Sequence, residues 1–136
     1  MSAFKHVTDD LSVSPQISVA DVAEAARQGF TTIINNRPDG EEPGQPTSAQ
    51  IEAAARDAGL AYAHIPVRGG PGPAEVEAVK ELVDAADGKV LAFCRSGTRS
   101  IVTWSIGQAQ SGAMSRGELV GLGREAGYDL TGVLGG

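Results

Sequence analysis

The chain has 136 residues and a formal net charge of −6 at pH 7, with 41% hydrophobic and 21% charged residues. This composition is typical of a globular protein and excludes a disordered or membrane-spanning chain, and the length predicts one domain over residues 1–136. Outside residues 94–99 there is no cluster of lysine or arginine, so we expect neither nucleic acid nor a membrane surface as a partner.

The pattern of capping residues, glycines and apolar periodicity predicts helices and strands in alternation. In chain order we predict a helix over 18–29, a strand over 30–35, a loop over 36–46, a helix over 47–59, a strand over 61–67, a loop over 67–73, a helix over 73–88, a strand over 89–93, and helices over 100–110 and 115–128. Three N-caps are predicted, at Ser18, Thr47 and Ser115, the last two with a capping box. This order predicts an α/β fold with a mostly parallel central sheet flanked by helices.

Ligands of such sheets bind at the carboxyl ends of the strands. Three predicted loops leave the strands at that edge, over residues 36–46, 67–73 and 94–99. We therefore expect these three loops to form the functional site.

The third of these loops contains the only cysteine, in the stretch CRSGTRS at residues 94–100. A loop that runs from a buried strand into a helix presents backbone N–H groups and the positive end of the helix dipole to an anion. Arg99 can bind two oxygens of a tetrahedral anion, and the same field favours the thiolate of Cys94 as a nucleophile. The candidate substrate-binding residues are Arg95, Ser96, Gly97, Thr98 and Ser100, of which Ser100 is expected to donate a hydrogen bond to the sulfur.

The stretch CRSGTRS resembles both the active-site loop of rhodanese-type sulfurtransferases and the signature loop of protein tyrosine phosphatases. Together with NNRPDGEEPGQP at residues 35–46 and HIPVRGG at 64–70, it resembles the phosphatase-like domain of the bacterial β-lactamase-hydrolase-like family. The resemblance implies a dual-specificity-phosphatase-like α/β fold. Some relatives carry a fused persulfide dioxygenase, so the resemblance also implies sulfide metabolism, with such an enzyme as a separate partner here.

Three departures from the phosphatase pattern matter. Phe93 precedes the cysteine where the phosphatase signature has His, and only four residues separate Cys94 from Arg99 where that signature has five. The loop 67–73 also holds no carboxylate to serve as general acid. Loss of an acid typically costs about 10²–10⁴-fold in rate, whereas transfer of a sulfane sulfur needs no such proton. We therefore expect a sulfurtransferase that passes sulfur from thiosulfate or a persulfide through Cys94. The alternatives are a phosphatase that forms a phosphocysteine on a phosphate ester, and a non-catalytic anion-binding or redox-sensing module.

Loop 36–46 offers candidate acids for the phosphatase alternative. Any of Asp39, Glu41 and Glu42 could be a substitute acid or could position Arg99 by a charge-assisted hydrogen bond. Asp39 is the strongest candidate for a site residue, with a turn former as its alternative, whereas for Glu41 and Glu42 we favour a solvated acidic turn. Arg37 is expected to help hold the loop. His64 is expected to be structural.

The small number of cysteines and histidines limits the redox and metal chemistry that we expect. One cysteine cannot form an internal disulfide, and the first residues show no basic segment followed by an apolar stretch, so we expect a protein of the reducing cytoplasm. With two histidines and no ligand spacing typical of zinc or iron, we expect no metal and no cofactor.

Overall fold

A computed structural model describes residues 3–134. Its elements are β1 (Lys5–Thr8), β2 (Leu11–Ser14), α1 (Val19–Arg27), β3 (Phe30–Asn35), α2 (Ser48–Asp57), β4 (Ala61–His64), α3 (Pro73–Ala85), β5 (Lys89–Phe93), α4 (Thr98–Ser111) and α5 (Arg116–Ala126). No helix among the described residues is both long and apolar enough to cross a membrane.

The five strands form one sheet in the order β1-β2-β5-β3-β4. Strand β5 lies at the centre, parallel to β2 and β3, and β4 is parallel to β3. Only β1 is antiparallel, as the first strand of a hairpin with β2. The mostly parallel sheet is confirmed, whereas the hairpin over residues 5–14 was not predicted.

The three predicted N-caps are confirmed by their hydrogen bonds. The side chains of Ser18, Thr47 and Ser115 each accept a backbone N–H three residues further on, and each forms a complete capping box. Several boundaries differ from the prediction by one to three residues. Helix α4 begins at Thr98 rather than at residue 100, and strand β4 ends at His64, ahead of Pro66, which has no N–H for a sheet hydrogen bond.

Apolar residues cover both faces of the sheet. Within β5, Val90 and Ala92 point into a core beneath α3, α4 and α5, whereas Leu91 and Phe93 point into a second core beneath α1 and α2. A strand that is buried on both faces has a nearly continuous apolar sequence, as residues 89–93 do. The next residue, Cys94, follows directly at the carboxyl end of this central strand.

Candidate active site

Cys94 is held at the end of β5 by backbone hydrogen bonds. Its N–H donates to the carbonyl of Ser14 at the end of β2, at 3.3 Å, so the loop starts from a fixed point between two strands. The N–H of Gly97 donates to the Cys94 Sγ at 3.1 Å, and helix α4 starts at the next residue. The sulfur is therefore buried beside an N–H donor and a helix N-terminus, both of which stabilise negative charge on it.

The turn that brings this N–H to the sulfur requires glycine. Gly97 has a φ of 91°, in the left-handed region, and a Cβ at this position would overlap the hydroxyl oxygen of Tyr128. That hydroxyl donates to the carbonyl of Ser96 at 2.9 Å, so Tyr128 stabilises the conformation of the loop. Burial raises the pKa of Tyr128, and the nearby Cys94 raises it further.

Arg99, the second residue of α4, is bound by loop 36–46 and by Val67. Its Nη1 and Nη2 donate to the two carboxylate oxygens of Glu41, both at 2.8 Å, and Nη1 also donates to the carbonyl of Val67 at 2.7 Å. The pKa of Arg99 is raised mainly by the hydrogen bonds to Glu41, and the nearby Cys94 raises it further. The guanidinium is thus held by Glu41 and by the Val67 carbonyl.

Glu41 and Glu42 are exposed, as expected for a solvated acidic turn, but both carboxylates are also bound by arginine side chains. Glu41 accepts from Arg37 Nε at 2.9 Å as well as from Arg99, and Glu42 accepts from Arg37 Nη2 at 2.7 Å. Hydrogen bonding from Arg99 is the main reason why the pKa of Glu41 falls from 4.5 to about 2. At neutral pH Glu41 is therefore ionised, and it has no proton to give to a leaving group.

Arg37, expected to help hold the loop, lies at its centre. The side chain is almost wholly buried, and its third partner is the Gln16 side-chain oxygen, at 3.0 Å from Nη1. Burial lowers the pKa of Arg37, but hydrogen bonds to Glu42 and Glu41 outweigh this effect and raise it above its ordinary value. A buried guanidinium with three acceptors fixes the shape of the loop around it.

Asp39 and Ser100 make contacts other than those expected. The Oδ1 of Asp39 accepts from the backbone N–H of Ser48 at 2.8 Å, so this carboxylate is engaged at the start of α2. Ser100 Oγ donates to Asn36 Oδ1 at 2.8 Å. A serine hydroxyl has a single proton, so the expected donation from Ser100 to the Cys94 sulfur does not occur.

The other candidate residues line the exposed rim of the loop. Arg95 is 69% exposed at the side chain, and its Nε lies 3.9 Å from Glu42. Ser96 Oγ donates to Thr98 Oγ1 at 3.0 Å, which closes the turn. His64 is structural as expected, because its Nε2 donates to the carbonyl of Arg37 at 2.8 Å.

Three residues beside the loop were missed by sequence reasoning: Gln16, Asn36 and Tyr128. Gln16 follows β2, and its backbone N–H donates to the carbonyl of Arg95 at 3.3 Å. The alternation of Val7, Leu11 and Val13 around the TDD turn could have indicated the hairpin that delivers Gln16. Asn36 and Tyr128 carried no comparable signal, because their roles depend on contacts with distant parts of the chain.

Residues 3–111 match the family described as the phosphatase-like domain of the beta-lactamase hydrolase-like protein. The beta-lactamase hydrolase-like protein of Agrobacterium fabrum is 38% identical over 125 residues, which are 91% of this chain. Those residues span 29% of the length of that relative.

Solved structures show the same fold. The putative phosphatase of Neisseria meningitidis superposes with a TM-score of 0.86 at 35% identity, over 98% of this chain and 95% of that one. The kinase associated phosphatase, with its catalytic-site cysteine replaced by serine, gives a TM-score of 0.74 at 18% identity over 98% and 89% of the two chains, a likeness of fold alone. This confirms the dual-specificity-phosphatase-like α/β fold. The extent of the match over residues 3–111 and the 38% identity show that the chain belongs to the phosphatase-like domain family of the beta-lactamase hydrolase-like proteins.

Proposed function

We propose that this domain hydrolyses phosphate monoesters through a phosphocysteine at Cys94. The observation that carries the proposal is the hydrogen bond from the Gly97 N–H to the Cys94 sulfur, at 3.1 Å, at the start of α4 and beside Arg99. An activated sulfur and a guanidinium side by side fit the attack of a thiolate on a bound oxyanion. Membership in a phosphatase-like family and the likeness to solved phosphatases support phosphorus as the centre attacked.

The reaction has two steps. In the first step the Cys94 thiolate attacks phosphorus, and the bond from phosphorus to the ester oxygen breaks, with its electron pair staying on that oxygen. Arg99 and the loop N–H groups bind the non-bridging oxygens, where negative charge accumulates. In the second step water attacks the phosphocysteine, inorganic phosphate leaves, and the thiolate of Cys94 is restored.

The charged contacts of loop 36–46 limit the range of leaving groups. Glu41 is ionised and bound to Arg99, Glu42 is bound to Arg37, and Asp39 accepts a backbone N–H of α2. With no protonated carboxylic acid at the sulfur, an alkoxide leaving group would depart without a proton, at a typical cost of about 10²–10⁴-fold. We therefore expect aryl phosphates, whose phenolate is stable without a proton, to be much better substrates than alkyl phosphates.

Sulfur transfer remains a second candidate because of one observation, the interval of four residues between Cys94 and Arg99. Sequence reasoning places this reaction first. The likeness to phosphatases reverses the order, since the comparisons offer no support for a sulfurtransferase. In this second candidate the Cys94 thiolate takes the sulfane sulfur of thiosulfate, sulfite leaves, and the persulfide passes its outer sulfur to cyanide or a thiol.

One preparation of the protein distinguishes the two reactions. The values of kcat/KM should be measured for hydrolysis of p-nitrophenyl phosphate and for sulfur transfer from thiosulfate to cyanide. We expect hydrolysis to exceed transfer, and Cys94→Ser to lose at least about 10³-fold, because a hydroxyl is a far weaker nucleophile at neutral pH. Faster sulfur transfer would replace our proposal with the second candidate.

A further inference from the structure

The contact between Glu41 and Arg99 leaves one edge of the guanidinium open. The Nη1 group donates to Glu41 and to the Val67 carbonyl, and one bond from Nη2 goes to Glu41. An arginine side chain has five N–H donors, so Nε and the second Nη2 donor remain for another acceptor. These two donors point the same way and match two oxygens of a tetrahedral oxyanion.

Glu41 is itself held by a buried cation. Arg37 Nε donates to Glu41 at 2.9 Å, and the Arg37 side chain is only 1% exposed. A buried charge is stable only when it is paired, and the partners of Arg37 are Glu41, Glu42 and Gln16. The carboxylate of Glu41 is therefore fixed from the interior side and presents its second oxygen to Arg99.

The backbone of Arg37 is fixed by strands β3 and β4. Its N–H donates to Asn35 Oδ1 at 2.8 Å, and its carbonyl accepts from His64 Nε2 at 2.8 Å. The position of Arg99 is thereby tied to the sheet through two ion pairs, from Arg37 to Glu41 and from Glu41 to Arg99. The exposed loop 94–99 does not by itself supply this constraint.

We propose that Glu41 is a positioning residue, which holds Arg99 so that its free edge faces the oxyanion above Cys94, with Arg37 as its buried anchor. This inference rests on the proposed function, because it assigns the means by which Arg99 is oriented for the same reaction. It assigns Glu41 a role other than proton transfer.

A purely electrostatic role and a positioning role of Glu41 predict opposite changes in phosphate binding when Glu41 is removed. Glu41 carries a negative charge beside an anion site, so its removal without any change in geometry should strengthen phosphate binding. If Glu41 orients Arg99, its removal should weaken phosphate binding, because Arg99 then has only the Val67 carbonyl to hold it. The direction of the change therefore decides between the two effects.

The matched control is a glutamate in an ion pair outside the site. Glu52→Gln removes the same charge from a residue of α2 that binds Arg56 and contacts neither Arg37 nor Arg99. Glu41→Gln, Glu41→Asp and Arg99→Ala complete the set, and Glu41→Gln in the Arg99→Ala background tests whether the two side chains act as a unit. Thermal unfolding of each variant shows that it is folded before binding is measured.

Two measurements serve as readouts. The first is the dissociation constant of inorganic phosphate, followed by the NMR shifts of the Gly97 and Thr98 amides. We expect Glu41→Gln to raise this constant about tenfold and to lower kcat/KM for p-nitrophenyl phosphate by about 10–100-fold. Glu41→Asp should lie between wild type and Glu41→Gln, and Glu52→Gln should stay within about twofold of wild type. The second is the Arg99 Nε–H resonance, which should move toward that of the exposed Arg68 in Glu41→Gln only.

The outcomes separate this inference from the proposed function. Phosphate binding that is unchanged or stronger in Glu41→Gln, or a further loss when Glu41→Gln is added to Arg99→Ala, would overturn the positioning role while leaving the phosphatase proposal intact. Weaker phosphate binding in a protein that shows no turnover of aryl phosphate would support positioning and overturn the proposed reaction. A wild-type protein that binds no phosphate would overturn both.

Discussion

The two loops that meet at the candidate site are held in different ways. Loop 94–99 is held by its backbone, through bonds from the Gly97 N–H to the sulfur, from the Cys94 N–H to Ser14 and from Tyr128 to the Ser96 carbonyl. Loop 36–46 is held by side chains, with Arg37 at the centre of its ion pairs.

This difference assigns different tasks to the two loops. Hydrogen bonds to and from the backbone fix the nucleophile, provided that the turn at Gly97 is kept. Ion pairs orient Arg99 and depend on the charge of Glu41. A substitution that changes the backbone conformation should therefore disrupt loop 94–99, whereas a substitution that removes a charge should disrupt loop 36–46.

Among substitutions that test how the two loops are held, the largest effect on activity is expected for Gly97→Ala. Alanine at a φ of 91° is strained, and its Cβ would overlap the Tyr128 hydroxyl, so we expect a loss of about 1–2 kcal/mol in the free energy of unfolding. A displaced Gly97 N–H should also lower kcat/KM by about 10²-fold or more. Denaturant unfolding and steady-state kinetics measure the two effects.

Two controls belong to this prediction. Gly117 lies inside α5, and a Cβ added there would have no atom within 4 Å, so Gly117→Ala should be neutral or stabilising by up to about 1 kcal/mol. Adding Tyr128→Phe to Gly97→Ala removes the overlapping oxygen but not the strained φ, so it should restore part of the stability. Wild-type kinetics in Gly97→Ala would mean that the loop is not held by its backbone as described.

The hydrogen bond from Ser100 to Asn36 joins the start of α4 to loop 36–46, and its loss should affect stability more than turnover. Ser100→Ala leaves the Asn36 side-chain oxygen buried without this donor, at a cost of about 1–3 kcal/mol. We expect a lower unfolding midpoint and little change in the rate with p-nitrophenyl phosphate. A large loss of activity at unchanged stability would instead indicate that Ser100 donates to the sulfur.

A smaller effect is expected for Asp39→Asn. Asparagine keeps an oxygen that can accept the Ser48 N–H, and only the charge at the start of α2 is lost, at about 0.3–1 kcal/mol. Turnover of aryl and alkyl phosphates should therefore change by the same small factor. A loss confined to the alkyl phosphate would identify Asp39 as a general acid, since only the alkoxide needs a proton.

The smallest effect is the pH dependence of the ion pair between Glu41 and Arg99. The pKa of Glu41 is lowered in the folded protein from 4.5 to about 2, so its contribution to stability is complete above about pH 4.5 and is lost as the pH falls to about 2. The difference in unfolding free energy between wild type and Glu41→Gln should shrink over this interval. A difference that stays constant down to pH 2 would contradict the ion pair.

The features that sequence predicted well are local in the chain. The N-caps at Ser18, Thr47 and Ser115 and the loop at Cys94 each depend on residues within a few positions of one another. Their hydrogen bonds form between neighbours, so the sequence pattern carries the geometry directly.

The features that the sequence left open or missed depend on pairs far apart in the chain. Glu41 and Arg99 are separated by 58 residues, and Ser100 and Asn36 by 64. An acidic run in a loop is usually solvated, and the stretch DGEE does not show which of its carboxylates binds Arg99 or that a buried arginine binds there too. Only the sheet order, which places β5 beside β3, brings the two loops together.

The most direct test of the central claim is the identity of the group carried by Cys94 during turnover. The protein is mixed with p-nitrophenyl phosphate or with thiosulfate, quenched in acid within one turnover, and digested for mass spectrometry of the peptide that contains Cys94. We predict a phosphate on Cys94 with the first substrate, at a level that matches the burst of nitrophenolate. An unmodified Cys94 with the aryl phosphate, together with a gain of one sulfur from thiosulfate, would contradict the phosphatase assignment.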